Sequence, residues 1–266
     1  MTRPLVLVFC GADPSGGAGM TADIQAITAC GAHPLPVVTC ITVQDNARVY
    51  AIHPLAASLV TAQASAMMDC SRIAAIKIGI VGSRKNSLAI AALIDRLRAD
   101  QADLPVVLDP VLASGHGDAL STDDPLQAME PLLARSTLLT PNAPEAELLC
   151  GRHADWREQA AGLLGRGCAN VLLKGGHGDD PAIVTNHWVC ANAARVWHWP
   201  RLAWSFHGSG CTLASAITAY LAQGATMERA IGLAQIYCQS ALAAAFEIAA
   251  GQRIPQRAIC APQLYP

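Results

Sequence analysis

Near the C-terminal end of this 266-residue chain, His207-Gly208-Ser209-Gly210-Cys211-Thr212 runs straight into an Ala-rich stretch. Leu213, Ile217, Tyr220 and Leu221 recur at the spacing of one apolar helix face, and Gly224 stands where a C-cap glycine belongs. The glycines therefore fall at a helix N-terminus. There the first N–H groups have no intrahelical partner and the helix dipole adds partial positive charge, so a turn without bulky side chains lets an anion approach closely. The chemistry this suits is phosphate binding by Gly208, Ser209 and Gly210; the alternative is a turn that is merely tight.

Other polar residues end apolar runs. Leu5 to Cys10 reads as a strand covered on both faces and gives way to Gly11-Ala12-Asp13-Pro14-Ser15-Gly16-Gly17-Ala18-Gly19, ahead of a helical pattern from Met20 to Cys30. Strand, tight loop and helix make a ligand-binding geometry in parallel sheets, because the loop lies at the carboxyl end of the strand. Pro36 to Val43 reads as a second strand with Gln44 at its exit. The Gln44 amide offers a donor and an acceptor, the complement of an aminopyrimidine or pyridine edge, unless it is simply a solvated loop amide. Pro105 to Leu108 leads into Asp109, Leu138-Leu139-Thr140 leads to Asn142 and Glu145, and Val171-Leu172-Leu173 ends on Lys174. Pro144 suits the first turn of a helix, so capping would account for one of these acids without chemistry.

Asp109, Asn142 and Glu145 suit the water shell of Mg²⁺. Together with a lysine at a strand end and a helix N-terminal anion hole, they are the parts of phosphoryl transfer, in which positioning and charge neutralisation do most of the work. The sequence has no Walker A pattern and no dinucleotide fingerprint with a spaced ribose acid, which counts against P-loop and Rossmann dehydrogenase readings.

Elements that would hold these residues alternate. Helical patterns at Leu55 to Met68 and Asn86 to Arg98 are separated by the short strand Ala75 to Ile78, which predicts an α/β fold with a mostly parallel sheet and helices on both faces. The length suits a single domain over residues 1–266. Hydrophobic residues make up 52% of the chain and charged residues 14%, so part of the surface is expected to be covered by a second copy. No run reaches the roughly 18 uninterrupted apolar residues of a membrane span. With a net charge of −2 and no cluster of Lys and Arg, partners such as nucleic acid or an anionic membrane are excluded in favour of a small molecule. The N-terminus carries no signal-like segment and the ten cysteines and eight histidines show no metal or redox spacing, so a reduced, cytoplasmic protein is expected.

The glycine-rich segment from Gly11 to Gly19 with Ala22-Asp23, Val43-Gln44, Lys77-Ile78-Gly79, Leu108-Asp109-Pro110-Val111, Thr140-Pro141-Asn142 with Pro144-Glu145-Ala146, Lys174-Gly175-Gly176-His177 and His207 to Thr212 occur in register from about Leu5 to Gly224. In this the chain resembles the hydroxymethylpyrimidine/phosphomethylpyrimidine kinases of thiamine biosynthesis, within the ribokinase-like superfamily. The resemblance implies a three-layer α/β/α homodimer. It would use ATP and Mg²⁺ to phosphorylate 4-amino-5-hydroxymethyl-2-methylpyrimidine and then its monophosphate.

Position by position, the resemblance implies that Gln44 reads the pyrimidine, that Gly11, Ala18 and Asp23 wall its pocket, and that Val43, Ile80 and Val107 add apolar cover. Lys174, Glu145 and Thr212 would lie on the nucleotide phosphate side, with Asp109, Asn142 and Glu145 organising magnesium, partly through water. Cys211 takes the catalytic position beside Gly208, Ser209 and Gly210, where a helix N-terminus can lower a thiol's pKa so that a thiolate accepts the hydroxymethyl proton; the other reading of Cys211 is a packed small hydrophobe. Departures from the family pattern are Ala203-Trp204-Ser205-Phe206 before His207, Asp45 after Gln44, and Gly115-His116 where many members carry a lysine. A pyridoxal or pyridoxine kinase of the same superfamily and a pyrimidine-binding sensor without catalysis are the alternative readings.

Overall fold

The computed structural model describes residues 3–113, 118, 120–151, 155–178 and 180–264. Strand β1 (Leu5–Ala12) shows why the chain forms layers. Val6, Val8 and Cys10 point to one face and Leu7 and Phe9 to the other, and all five are buried. A strand apolar on both faces needs a helical layer on each.

Those layers are supplied alternately along the chain. After β1 come α1 (Gly19–Ala29), β2 (His33–Gln44), β3 (Val49–Pro54), α2 (Ala57–Met68), β4 (Ile73–Ile78), α3 (Arg84–Asp100), β5 (Val106–Leu108) and α4 (Pro125–Leu133). They are followed by β6 (Leu138–Leu139), α5 (Ala143–Cys150), α6 (Trp156–Gly165), β7 (Asn170–Leu173), β8 (Ile183–Cys190), β9 (Ala194–Pro200), α7 (Ser209–Ala222) and α8 (Met227–Ala243). The sheet has nine strands in the order β3-β2-β1-β4-β5-β6-β7-β8-β9. The six strands from β2 to β7 run parallel, and β3, β8 and β9 pair antiparallel at the two ends. One core joins the sheet to α2 through α6, and the other joins it to α1, α7 and α8. The three-layer α/β/α expectation holds.

Three strands escape the sequence reading. β3 and β9 have no buried residue and β9 mixes Arg195, Trp197, His198 and Trp199, so neither shows the continuous apolar run of a covered strand. β8 is held by pairing with β7 and β9 rather than by an apolar signature of its own. The order reverses at β1, which has β2 on one side and β4 on the other; ligands bind at such a switch point, outside the carboxyl ends of the strands.

Beneath that edge lies a buried ion pair. Lys77 on β4 donates to Asp23 Oδ2 on α1 at 2.9 Å, and Ser215 Oγ on α7 donates to Asp23 Oδ1 at 2.7 Å. Both charged residues are fully buried. Burial alone would lower the Lys77 ammonium, but Asp23, with Cys211 and Asp109, holds it above its ordinary value. The expectation that Asp23 walls the substrate pocket is corrected: its two oxygens tie α1, β4 and α7 together inside the core. Removing one partner of a buried pair leaves an uncompensated charge, so Asp23→Asn is expected to cost about 3–5 kcal/mol in urea unfolding. The apolar double variant Asp23→Leu with Lys77→Met should recover most of that loss. A loss below about 1 kcal/mol for Asp23→Asn would mean that the pair does not bind the layers.

Candidate active site

Several of the candidate residues sit at or just past the end of a parallel strand, while Glu145 stands on α5 and Cys211 on α7. Gly11 is the last residue but one of β1, Gln44 ends β2, Ile80 follows β4, Asp109 follows β5, Asn142 follows β6 and Lys174 follows β7. Because these strands are parallel neighbours, residues far apart in sequence face one cavity of about 690 Å³. Its walls include Gly11, Ala18, Gln44 and Ile80 at one end, and Asp109, Asn142, Glu145, Lys174 and the Gly208 to Cys211 segment further along.

At the centre, Lys174 Nζ donates to Asp109 Oδ1 at 2.8 Å and lies 4.0 Å from Glu145 Oε2. Thr140 Oγ1 donates to the same Asp109 oxygen at 3.1 Å. Asn142 and Glu145 form a reciprocal cap on α5: Asn142 Oδ1 accepts from the Glu145 amide, and Glu145 Oε2 accepts from the Asn142 amide, each at 2.8 Å. Glu145 is thus a capping acid and a neighbour of Lys174 at once.

The helix that approaches this group is α7. Gly208 is its N-cap, with a left-handed φ of 78°, and the first intrahelical bond, from the Thr212 amide to the Gly208 carbonyl, leaves the amides of Ser209, Gly210 and Cys211 ahead of it. Glycine at 210 has a local reason. A Cβ there would lie 3.1 Å from Lys174 Nζ and 3.5 Å from Asp109 Oδ2, so the bare backbone opens the helix end to the lysine. An ammonium and a helix N-terminus converging on one point form an anion site.

Charges here are strongly coupled. Burial would raise Asp109, but Lys174 and Lys77 hold its carboxyl below the usual range. Burial would lower Lys174, but Asp109 and Glu145 hold it above its ordinary value. For Glu145 burial dominates, with Asp109 adding to the rise and Lys174 opposing it, and the carboxyl is pushed up to about 7. Cys211 departs from expectation in the same way. Its thiol is buried and pushed up to about 11, Lys77 opposing the shift and Asp23 and Asp109 adding to it. The helix N-terminus does not outweigh burial and two nearby acids, so the expected thiolate is corrected to a neutral thiol.

Three further assignments change. Val43 is half exposed and alternates away from Thr42 and Gln44, which do face the cavity. Val107 is buried in the core on the α7 side of β5 rather than in the pocket. Thr212 is fully buried, donating to the Gly208 carbonyl and accepting from Arg257 Nε, so its hydroxyl does not face the nucleotide side. Gly115 and His116 lie outside the described residues.

The sequence reading also passed over residues of the site. Asp13 Oδ2 accepts from the Ala18 amide at 2.8 Å and lies 2.9 Å from His207 Nε2, joining the loop after β1 to the approach to α7. Both residues lie inside recognised motifs, but nothing in one motif says that it meets the other. On the far side, Asn186 Oδ1 accepts from the Gly175 amide at 2.9 Å and its Nδ2 donates to Gln235 Oε1 at 2.7 Å, which steadies the turn after Lys174. Of the departures noted in the sequence, Trp204 stands at the cavity rim with the Arg253 guanidinium 3.6 Å over its ring, and Asp45 caps its own turn by accepting from the Ala47 and Arg48 amides.

A sheet of this order, with a lysine, two carboxylates and a helix N-terminus gathered at its strand ends, defines the ribokinase-like class of small-molecule kinases. The structure is similar to that of the pyridoxal kinase from Staphylococcus aureus in complex with AMP-PCP and pyridoxal, with a TM-score of 0.84 and 25% identity over 97% of this chain and 95% of that one. It is also similar to a phosphomethylpyrimidine kinase from Clostridium difficile 630, with a TM-score of 0.74 and 32% identity over 89% of this chain and 98% of that one. In sequence the chain is 35% identical over 263 residues to the hydroxymethylpyrimidine/phosphomethylpyrimidine kinase of Streptomyces coelicolor, covering 94% of this chain and 93% of the relative. Residues 13–256 match the phosphomethylpyrimidine kinase family, and the chain belongs to it.

The raised Glu145 carboxyl gives a pH signature opposite in sign to that of most acids. Between the ordinary value of 4.5 and about 7, the folded state holds a proton that the unfolded state has lost. The stability Glu145 contributes is therefore full below 4.5 and is lost as pH rises through about 7. In thermal melts of the ligand-free protein, the wild type should lose stability relative to Glu145→Gln between pH 5 and 7.5. Parallel melting curves for the two proteins across that range would place the Glu145 carboxyl at an ordinary value.

Proposed function

We propose that the protein phosphorylates the hydroxymethyl oxygen of 4-amino-5-hydroxymethyl-2-methylpyrimidine with ATP, and then adds a second phosphate to the monophosphate. The observation that carries this reading is the approach of the α7 N-terminus to the Lys174–Asp109 pair in a cavity whose other end carries Gln44. Gln44 is assigned to the ring edge, since among the described residues its amide has no protein partner. Gly11, Ala18 and Ile80 wall the ring. The arm of the cavity walled by Gly176, His177, Val184 and Trp199 is assigned to the nucleotide.

The donor set fits a hydrated Mg²⁺ rather than an all-protein cage. Asp109 and Glu145 bring two carboxylates, and among the described residues no cluster of three His, Cys, Asp or Glu could hold an ion by itself. When bound, the ion supplies charge neutralisation on the phosphate oxygens. Lys174 neutralises charge on the transferred group, and the amides of Ser209, Gly210 and Cys211 receive its oxygens. The hydroxymethyl oxygen forms the new P–O bond as the bond to the bridging oxygen breaks and ADP leaves. In a loose transition state the alcohol proton leaves late and can pass to a phosphoryl oxygen, so a thiolate base is not required. We further propose that the protein works as a cytoplasmic homodimer. All ten cysteines are free, and Ile41, Val43 and Tyr50 leave apolar surface exposed on the β2–β3 pair.

ADP release measured with the hydroxymethylpyrimidine, its monophosphate and pyridoxal tests the proposal. Turnover is expected with both pyrimidines at higher kcat/KM than with pyridoxal; the reverse order would make the protein a pyridoxal kinase. In the same assay Cys211→Ala should lower kcat about 10-fold or less in both steps, since a general base is typically worth about 100- to 10,000-fold. A loss of about 100-fold or more, confined to the alcohol, would restore the thiolate as base.

A further inference from the structure

Behind the anion hole lies a charge with no ion-pair partner among the described residues; Asp23 acts on it through space but is already bound to Lys77. Arg257, beyond α8 in the C-terminal segment, is 1% exposed and does not line the cavity. Its Nε donates to Thr212 Oγ1 at 2.8 Å and its Nη2 to the Gly17 carbonyl at 2.5 Å, with the Gly208 carbonyl at 3.5 Å. Its Nη1 reaches Gln25 Oε1 at 3.5 Å. Every one of these acceptors is neutral, and among the described residues Arg257 makes no ion pair. The two lysines nearby differ: the buried Lys77 has Asp23, and the partly buried Lys174 has Asp109.

A buried ion without a counter-ion is costly, and that cost falls in a state where an anion arrives close by. The acceptors show which state that is. Gly208 is the N-cap of α7, Thr212 lies one turn into it, and Gly17 belongs to the loop after β1. The guanidinium therefore grips the start of α7 from the side away from the cavity and adds a full positive charge to the helix's positive end.

We propose that Arg257 is a positioning residue for phosphoryl transfer whose unpaired charge is matched by the phosphate groups that arrive at the Ser209 to Cys211 amides. It holds the Gly17 and Gly208 carbonyls back, so that these amides face the cavity, and it strengthens the field they present. This rests on the phosphoryl-transfer reading of the site.

Two substitutions separate the charge from the hydrogen bonds: Arg257→Lys keeps the charge with fewer donors, and Arg257→Gln keeps donors without charge. The readouts are the melting shift produced by ADP and by inorganic phosphate, without pyrimidine, and kcat and KM for the hydroxymethylpyrimidine. Arg257→Gln should lower kcat by about 10- to 100-fold, leave the pyrimidine KM within about 2-fold and shrink both melting shifts. Arg257→Lys should retain most of each. Should the Gln variant not fold, Arg257→Met replaces it as the chargeless protein with the same expected losses.

An Arg257→Lys variant that does not fold, or that performs no better than the chargeless variant, overturns the proposal and leaves Arg257 as a hydrogen-bonding brace. If the wild type turned over no pyrimidine while the melting shifts still ranked lysine above glutamine, the substrate reading would fail and the role of Arg257 would stand.

Discussion

The site depends on one close approach, where the backbone at Gly208 fits against the loop after β1. A Cβ at Gly208 would lie 2.1 Å from the Gly17 carbonyl oxygen and 2.9 Å from Ala18 Cα, and the residue's φ of 78° is one that only glycine adopts without strain. Any side chain there would push α7 away from the cavity and carry the Ser209, Gly210 and Cys211 amides with it. The same contact sets the position of Ala18, so the cavity wall proposed for the pyrimidine and the α7 amides are fixed relative to each other. His207 on Asp13 and Arg257 on Gly17 hold the contact from two sides.

Electrostatics then bias that framework toward anions. Lys77 and Arg257 are buried cations around the start of α7 and Lys174 is a partly buried third, while Asp23 and Asp109 are the acids paired with the two lysines. Glu145 is pushed up to about 7 and so is partly protonated at neutral pH. With Asp13 counted, the formal charges of the cluster nearly balance, so the bias comes from placement: the acids are bound to Lys77, Lys174 and His207, while the α7 amides and the Lys174 ammonium meet at the cavity. The bias is local, and it makes phosphate a better occupant of the cavity's centre than a neutral ligand. The neutral Cys211 thiol belongs to the same balance, since a thiolate there would face Asp23 and Asp109 as well as an incoming phosphate.

What the sequence made legible and what it hid have physical causes. The parallel strands could be read because burial on both faces demands continuous apolar runs, as in Leu5 to Cys10, and the polar residues ending those runs were bound to gather at one sheet edge. Asp23 and Thr212 sit inside recognised motifs but face the core, because a motif states which residues recur and not which way each points. Val43 fails for the alternation of its strand, since Gln44, one residue along, faces the cavity; Val107 fails because it lies inside β5, under α7, while the cavity begins only past the strand's end at Asp109. Arg257 had no signal at all. A lone arginine in a polar C-terminal segment looks exposed until its partners, Gly17 and Thr212, are known to lie beside it.

A crystal structure of the protein with ADP, magnesium, aluminium fluoride and the hydroxymethylpyrimidine tests the account most directly, because the fluoride stands in for the transferred phosphoryl group. The fluoride is expected within hydrogen-bond reach of the Gly210 and Cys211 amides and of Lys174 Nζ, with the pyrimidine's hydroxymethyl oxygen on its opposite side from ADP and the ring on Gln44. A fluoride bound away from the start of α7, or a pyrimidine ring held without Gln44, would contradict the account.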